Sequence, residues 1–313
     1  MHAFIFDPLW EELIDDELLQ KLEQSGVSYT VIGKVAPLHE CRELFEGNED
    51  RILCLNPDYV EWKLSSDDYK DIPGLKSILT ASTGFEWIDQ SVANERNIPI
   101  CNIKNFSTQA VAEWAVMIML NLARQTPRLI KDGFPLDYDK DFMKYRGQQL
   151  WGKKVGIIGL GNIGNAIAER CKGLGMEVVY WSRSSENANY AKVSLVELMS
   201  TADVIFPTLA KNEETSKLLT DEHLASVKNS SILVDIAHTF FNETKIAKML
   251  EDGLLFGYGF EAKPKEFNSF KGNVWAAPAY AWTTYDSMYN SEVLQVENII
   301  LATKNEFPNR VNI

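Results

Sequence analysis

The segment Gly159-Leu160-Gly161-Asn162-Ile163-Gly164 constrains this chain more than any other stretch. It follows the apolar run KKVGIIGL, which reads as a strand, and it opens a helical pattern. A lone GxGxxG is weak evidence, but between a strand and a helix it is a strong signal. Gly159 permits the tight turn, Gly161 lets backbone approach a pyrophosphate, and Gly164 lets the helix pack closely on the strand. The helix-start amides, those of Asn162 and Ile163 among them, then face the phosphates. The competing reading is a glycine-rich turn that binds nothing.

Around this motif, β and α segments alternate. Ala3–Phe6, Ser28–Ile32, Arg51–Leu55, Lys76–Ala81 and Ile98–Ile103 read as strands, with helices beginning near Leu9, Ala36 and Trp87. An apolar helix is expected from Thr108 to Ala123, buried between domains or at a subunit interface because it is too apolar for a solvated surface. The stretch from there to Leu150 carries Pro127, Gly133 and Pro135 and reads as a connecting excursion. A second α/β series starts at Lys153 and ends in a helix over Ser287–Thr303. The rhythm predicts an α/β chain with two Rossmann-like domains built on parallel sheets.

Composition narrows the partners. A net charge of −13 argues against a nucleic-acid partner, since phosphate backbones need a basic surface. Helix ends can still hold a dinucleotide on an acidic protein. The four cysteines are scattered, and His2, His39, His223 and His238 form no spaced cluster, so neither disulfides nor a metal site is expected. The chain starts straight into a strand without a basic flank, and no apolar run reaches the roughly 18–20 residues of a membrane span. A soluble, cytoplasmic protein with no membrane partner is expected.

The second strand of the central series reports on the cofactor's ribose. An NAD site usually has Asp or Glu there, about 20 residues past the glycines, to accept from the 2′-hydroxyl. This strand ends Tyr180-Trp181-Ser182-Arg183-Ser184, with no acid. Ser182 and Ser184 do not repel a 2′-phosphate, and Arg183 can pair with one. The preference expected is NADP(H), with NAD(H) also admissible. An ordinary solvated arginine is the plainer reading of Arg183.

Several blocks, taken in order, resemble the D-isomer-specific 2-hydroxyacid dehydrogenases. They are ASTGFEWID (81–89), NFSTQAVAEWAVMIMLNLAR (105–124), LWGKKVGIIGLGNIG (150–164), SLVELMSTADVI, EETSKLLTDEHLASVK and PAYAW (278–282). The resemblance implies a substrate domain of residues 1–101 plus 285–313, a dinucleotide domain of 102–284, and a cleft between them. It implies that Ser82, Thr83 and Gly84 present amides to a small-molecule substrate, and that Thr108 and Ala237 line the cofactor. Members interconvert 2-keto acids and D-2-hydroxy acids and are commonly dimers, here through the helix around 108–124.

The catalytic positions depart from the family. Its arginine falls in the stretch VDIAHTFFNE, where His238 stands; its glutamate falls in YGFEAKP, where Lys263 stands; its histidine falls in APAYAW, where Ala279 stands. Glu261 is set aside as the glutamate because Pro264 fixes the register. Tyr258 stands for an aspartate beside the nicotinamide, and Thr208 and Ala210 for a histidine and a proline. Losing a proton donor forfeits about 10²–10⁴-fold in rate, and a histidine cannot reproduce a guanidinium fork. One reading is a rebuilt site in which Lys263 stabilises the alkoxide or donates a proton, His238 holds the substrate, and Tyr280 offers a hydroxyl. The other is an NADP(H)-binding sensor or interaction protein with little or no turnover.

Overall fold

The computed structural model describes residues 1–47, 49–135, 140, 143–210, 212–236, 240–261 and 270–312. They form two compact units, Met1–Ser107 with Thr284–Ile313, and Thr108–Thr283.

The first unit is a five-stranded sheet, β1 (His2–Phe6), β2 (Ser28–Val31), β3 (Arg51–Leu55), β4 (Leu75–Thr80) and β5 (Ile100–Cys101), in the order β2-β1-β3-β4-β5. All its strand pairs are parallel. The stretch Ile98–Ile103, read as one strand, forms ladder only at Ile100 and Cys101. The helix expected near Leu9 is two, Trp10–Leu13 and Asp16–Ser25, because Asp15 caps the second by accepting from the Leu18 amide at 2.9 Å. Near Ala36 the chain makes 3₁₀ turns over Leu38–Phe45, the proline at 37 standing at their start.

The helix Tyr285–Thr303 packs Val296, Ile299 and Ala302 with Ile5, Cys54 and Leu79 of this sheet. On the same helix Glu292 is also buried, with Gln295 donating to its carboxyl at 3.2 Å. Asp7, buried at the end of β1, accepts from Asn56 Nδ2 at 2.8 Å and the Leu9 amide at 3.0 Å. Burial, and then the charge of Asp7, push the Glu292 carboxyl up to about 9.

The second unit holds β6 (Lys154–Ile158), β7 (Glu177–Trp181), β8 (Ala191–Lys192), β9 (Val204–Pro207), β10 (Ile232–Asp235), β11 (Gly257–Glu261) and β12 (Val274–Ala277). The order is β12-β11-β10-β9-β6-β7-β8, parallel throughout. The chain reverses its direction of growth across β6, the switch point at which doubly wound sheets bind dinucleotides. The apolar helix runs Thr108–Ala123. One side of it is buried within its own unit. Ala112, Ala115, Ile118, Met119 and Leu122 are fully buried beside β6, β10 and the helix Asn162–Gly173. Glycines make the approach to β11 possible: a Cβ on Gly259 would stand 2.2 Å from Ile118 Cγ2. The excursion after Ala123 contains a helix, Thr126–Lys131, whose Pro127 sits in the first turn, where no amide partner is lost.

A carboxyl that ionises at about 9 when folded and near 4.5 when unfolded favours the fold fully below about 4.5, and that contribution is lost as pH rises toward 9. Glu292→Gln is therefore expected to gain on the order of 2–4 kcal/mol of stability over wild type at pH 8. The gain shrinks toward zero near pH 4.5. Urea unfolding at the two pH values measures it, and equal differences at both would refute the assignment.

Candidate dinucleotide and hydride-transfer site

Because every strand of the second unit runs parallel, the turns after β6, β7, β9, β10, β11 and β12 share one edge of the sheet. After β6 the chain turns at Gly159 with φ +96°, and a Cβ there would lie 2.9 Å from the Thr208 carbonyl oxygen. A Cβ on Gly164 would come within 2.2 Å of the Gly159 oxygen. Packing inside the chain thus demands glycine at both positions. At Gly161 it does not, since nothing lies within 4 Å of where a Cβ would be. A glycine that its own chain does not require, at the exposed start of a 12-residue helix, fits the close approach of a diphosphate.

Two residues passed over in the sequence hold this loop. Asn165 Nδ2 donates to the carbonyls of Leu160 at 3.1 Å and Gly161 at 2.9 Å, and Asn187 fixes it by donating to Asn165 Oδ1 at 2.9 Å. The first-turn amides of a helix have no partner within the helix itself, and here that end begins at Gly161. Thr208 Oγ1 donates to the Gly159 carbonyl at 2.5 Å, a use of this hydroxyl not anticipated from sequence. Asn165 lies four residues after Gly161 on the helix, and that spacing was the available signal.

β7 pairs with β6, Trp181 opposite Ile158, so Ser182, Arg183 and Ser184 follow on the adjacent strand end. Ser182 is buried, and its Oγ accepts from the Ser185 amide at 3.1 Å. Ser184 is exposed. The Arg183 guanidinium pairs with the Glu214 carboxylate, with 56% and 71% of the two side chains exposed. Arg183 is thus largely solvated and paired with an acid from another loop. Thr108, half-buried, begins the helix that packs along Asn162–Gly173.

His238, Lys263 and Ala237 lie outside the described residues. Tyr280 is 56% exposed, and Ala279 beside it is also exposed. Tyr258 points inward, fully buried and stacked on Phe260 at 4.9 Å between ring centres; burial holds its hydroxyl well above the usual phenol range. Glu261 stands out instead. Its Oε1 accepts from the Ala281 amide at 2.8 Å. Burial raises its carboxyl to about 7, against the opposing pull of the Ala281 and Tyr280 amides and the Trp114 indole. Strand alternation carried the signal: Gly257, Gly259 and Glu261 share the face covered by the Thr108–Ala123 helix.

In the first unit, Ser82 is buried, with Oγ donating to the Gly84 carbonyl at 2.7 Å and meeting Thr80 Oγ1 at 2.8 Å. Asn102 Nδ2 donates to the Thr83 carbonyl at 2.7 Å. Ser82 thus stiffens the turn, and no backbone hydrogen bond among the described residues uses the Thr83 or Gly84 amide. Among the described residues there is no group of three His, Cys, Asp or Glu placed to hold a metal ion, and no helix long and apolar enough to cross a membrane.

A family model described as D-isomer specific 2-hydroxyacid dehydrogenase, NAD binding domain, matches residues 116–301. The chain belongs to this family. Among curated members, the glyoxylate reductase of Thermococcus kodakarensis is 29% identical over 79% of each chain. The glycerate dehydrogenase of Methylorubrum extorquens is 27% identical over 75% of this chain and 78% of its own. Among solved structures, an acyclic imino acid reductase in complex with NADPH and D-Arg superposes with a TM-score of 0.80 at 21% identity, covering 99% of this chain and 100% of the other. The 2-hydroxyacid dehydrogenase fold, with its nicotinamide-dinucleotide domain, accounts for both parallel sheets and for the glycine turn after β6.

The glycines separate binding from folding. Gly161→Ala is expected to keep the unfolding temperature within about 2 °C of wild type, as for a change that clashes with nothing, while weakening NADPH at least about tenfold. Gly164→Val, which collides with the Gly159 carbonyl, is expected to destabilise the fold by roughly 1–3 kcal/mol. Thermal unfolding and tryptophan-fluorescence titration measure the two effects. Unchanged NADPH binding in Gly161→Ala would remove the diphosphate from this turn.

Proposed function

We propose that the chain is a reductase that prefers NADP(H) and acts on a small 2-keto acid or a related carbonyl compound, with a non-standard catalytic set. The observation that carries the reading is the open cradle at Gly161, next to a strand end whose only charged residue is Arg183. The amides at the start of the Asn162–Gly173 helix would hold the diphosphate, and Ser182, Arg183 and Ser184 the ribose phosphate. When bound, the reduced nicotinamide supplies the hydride. Ser82, Thr83 and Gly84 would orient the substrate through backbone amides, and His238, Lys263 and Tyr280 remain candidates for holding it and for steadying the developing alkoxide. Relatives named glyoxylate reductase and glycerate dehydrogenase point to short substrates.

The Arg183–Glu214 pair does not oppose this preference. An exposed pair of this kind is worth roughly 0–1 kcal/mol, so releasing Arg183 to a 2′-phosphate costs little. A second reading, a dinucleotide-binding sensor with little turnover, is favoured by Ala279, which puts a methyl group where the family has its proton-donating imidazole. Steady consumption of NADPH with glyoxylate, pyruvate or another short keto acid decides between the two.

A homodimer is also proposed. Leu120, Ile130, Phe134, Met143 and Trp151, between 40% and 72% exposed, lie close together in sequence after the start of the apolar helix. Large apolar side chains left this exposed are candidates for a subunit contact.

Arg183→Ala is expected to raise the NADPH dissociation constant about 10–100-fold and to leave that of NADH within about threefold; tighter binding of NADH by wild type would overturn the preference. Phe134→Glu with Trp151→Glu is expected to convert a dimer to monomers in sedimentation equilibrium. A monomeric wild type would end that proposal.

A further inference from the structure

The glycine turn and its neighbours occupy the carboxyl edge of the second sheet. The opposite edge, where the chain enters β10, β11 and β12, carries a cavity of about 330 Å³. Its wall includes Asn229 before β10, Leu255 and Phe256 before β11, and Asn273 before β12. Arg128 and Arg146, from the excursion after the apolar helix, line it as well. No Asp or Glu is among the described residues that line it, on a chain whose net charge is −13. Such a volume falls within the roughly 300–1,000 Å³ of small-molecule sites.

The two arginines are placed by one buried side chain. Gln125 is 5% exposed; its Oε1 accepts from Arg128 Nη1 at 3.2 Å, and its Nε2 donates to the Arg146 carbonyl at 2.8 Å. Gly147 seats this segment against the end of the apolar helix, since a Cβ there would stand 2.6 Å from the Ala123 carbonyl oxygen. Arg128 Nη1 also donates to the Lys144 carbonyl at 3.4 Å, and the guanidinium lies 5.4 Å from the centre of the Tyr145 ring. Among the described residues no hydrogen bond uses Nη2 or Nε of Arg128. Asp132, whose charge reaches Arg128, is taken up by Lys144 at 3.1 Å and by the Tyr145 hydroxyl. Asn273 adds an unmet acceptor. Its Nδ2 donates to the Leu122 and Phe256 carbonyls, while its buried Oδ1 has no partner among the described residues. An acceptor buried without a donor is costly, and a ligand hydrogen would remove that cost.

We propose that this cavity binds a small organic acid that carries a hydroxyl or amino group beside its carboxylates. The carboxylates engage the guanidinium forks of Arg128 and Arg146, whose planar pairs of donors match an oxyanion. The hydroxyl or amino hydrogen goes to Asn273 Oδ1, and the carbon body lies on Leu255 and Phe256. The site is separate from the dinucleotide edge and needs no hydride chemistry, so it does not depend on the reductase reading.

Calorimetry on the full chain saturated with NADPH tests the site with malate and succinate, two acids that differ by one hydroxyl. Malate is expected to bind saturably at millimolar concentration, at least about threefold more tightly than succinate. Arg128→Gln and Arg146→Gln should each weaken it at least about tenfold, and Arg146→Lys should regain part of the affinity. Lys131→Gln, exposed on the same helix as Arg128 but outside the cavity, should stay within about twofold of wild type. Malate binding that is absent, equal to that of succinate, or unchanged in the arginine variants overturns the site. Arginine variants that dissociate a dimer in sedimentation while still binding malate would make the cavity a subunit contact instead, and overturn it equally.

Discussion

Parallel pairing is the constraint on which the rest depends. Every strand in each sheet runs the same way, so each sheet gathers its carboxyl ends along a single edge. In the second unit that edge collects the glycine turn, Ser182, Thr208, Glu261 and the turn beyond Ala277. None of these is near the others in sequence. The helices that return the chain between strands make this possible, and their tight seating sets how closely the edge groups approach. Gly164 and Gly259 mark where helix meets strand with no room for a side chain.

Much of this was legible in the sequence because its signals are local. The glycine spacing located the loop, and a continuous apolar run set both ends of the Thr108–Ala123 helix. Other features depended on partners distant in sequence. Ile98–Ile103 has the composition of a strand, yet only two residues find a neighbour to pair with. β8 is two exposed residues whose sole mark is the pairing with β7, and no periodicity announces it. The apolarity of the Thr108–Ala123 helix could not say which surface covers its inner side. The answer lay in two glycines more than a hundred residues further on, at 257 and 259.

At the ends of β10 and β11 the sequence candidates His238 and Lys263 lie outside the described residues. Matching short motifs asks which residue occupies a family position, and by that measure Glu261 stood two places out of register. Side-chain alternation asks where a residue points, and it puts Glu261 on the covered face with its carboxyl under the following turn. The reverse applies to Tyr258, which holds a family position but turns its ring into the apolar interior.

The pair between Arg183 and Glu214 bears on how such a protein would sort nucleotides. A guanidinium already engaged by a carboxylate from another loop makes phosphate binding an exchange of anions rather than a simple capture. Ordinary salt weakens the internal pair and the phosphate bond together, since both are exposed. Discrimination between phosphorylated and unphosphorylated dinucleotides would then be sharpest in dilute buffer and flatten as ionic strength rises, without any change in the fold.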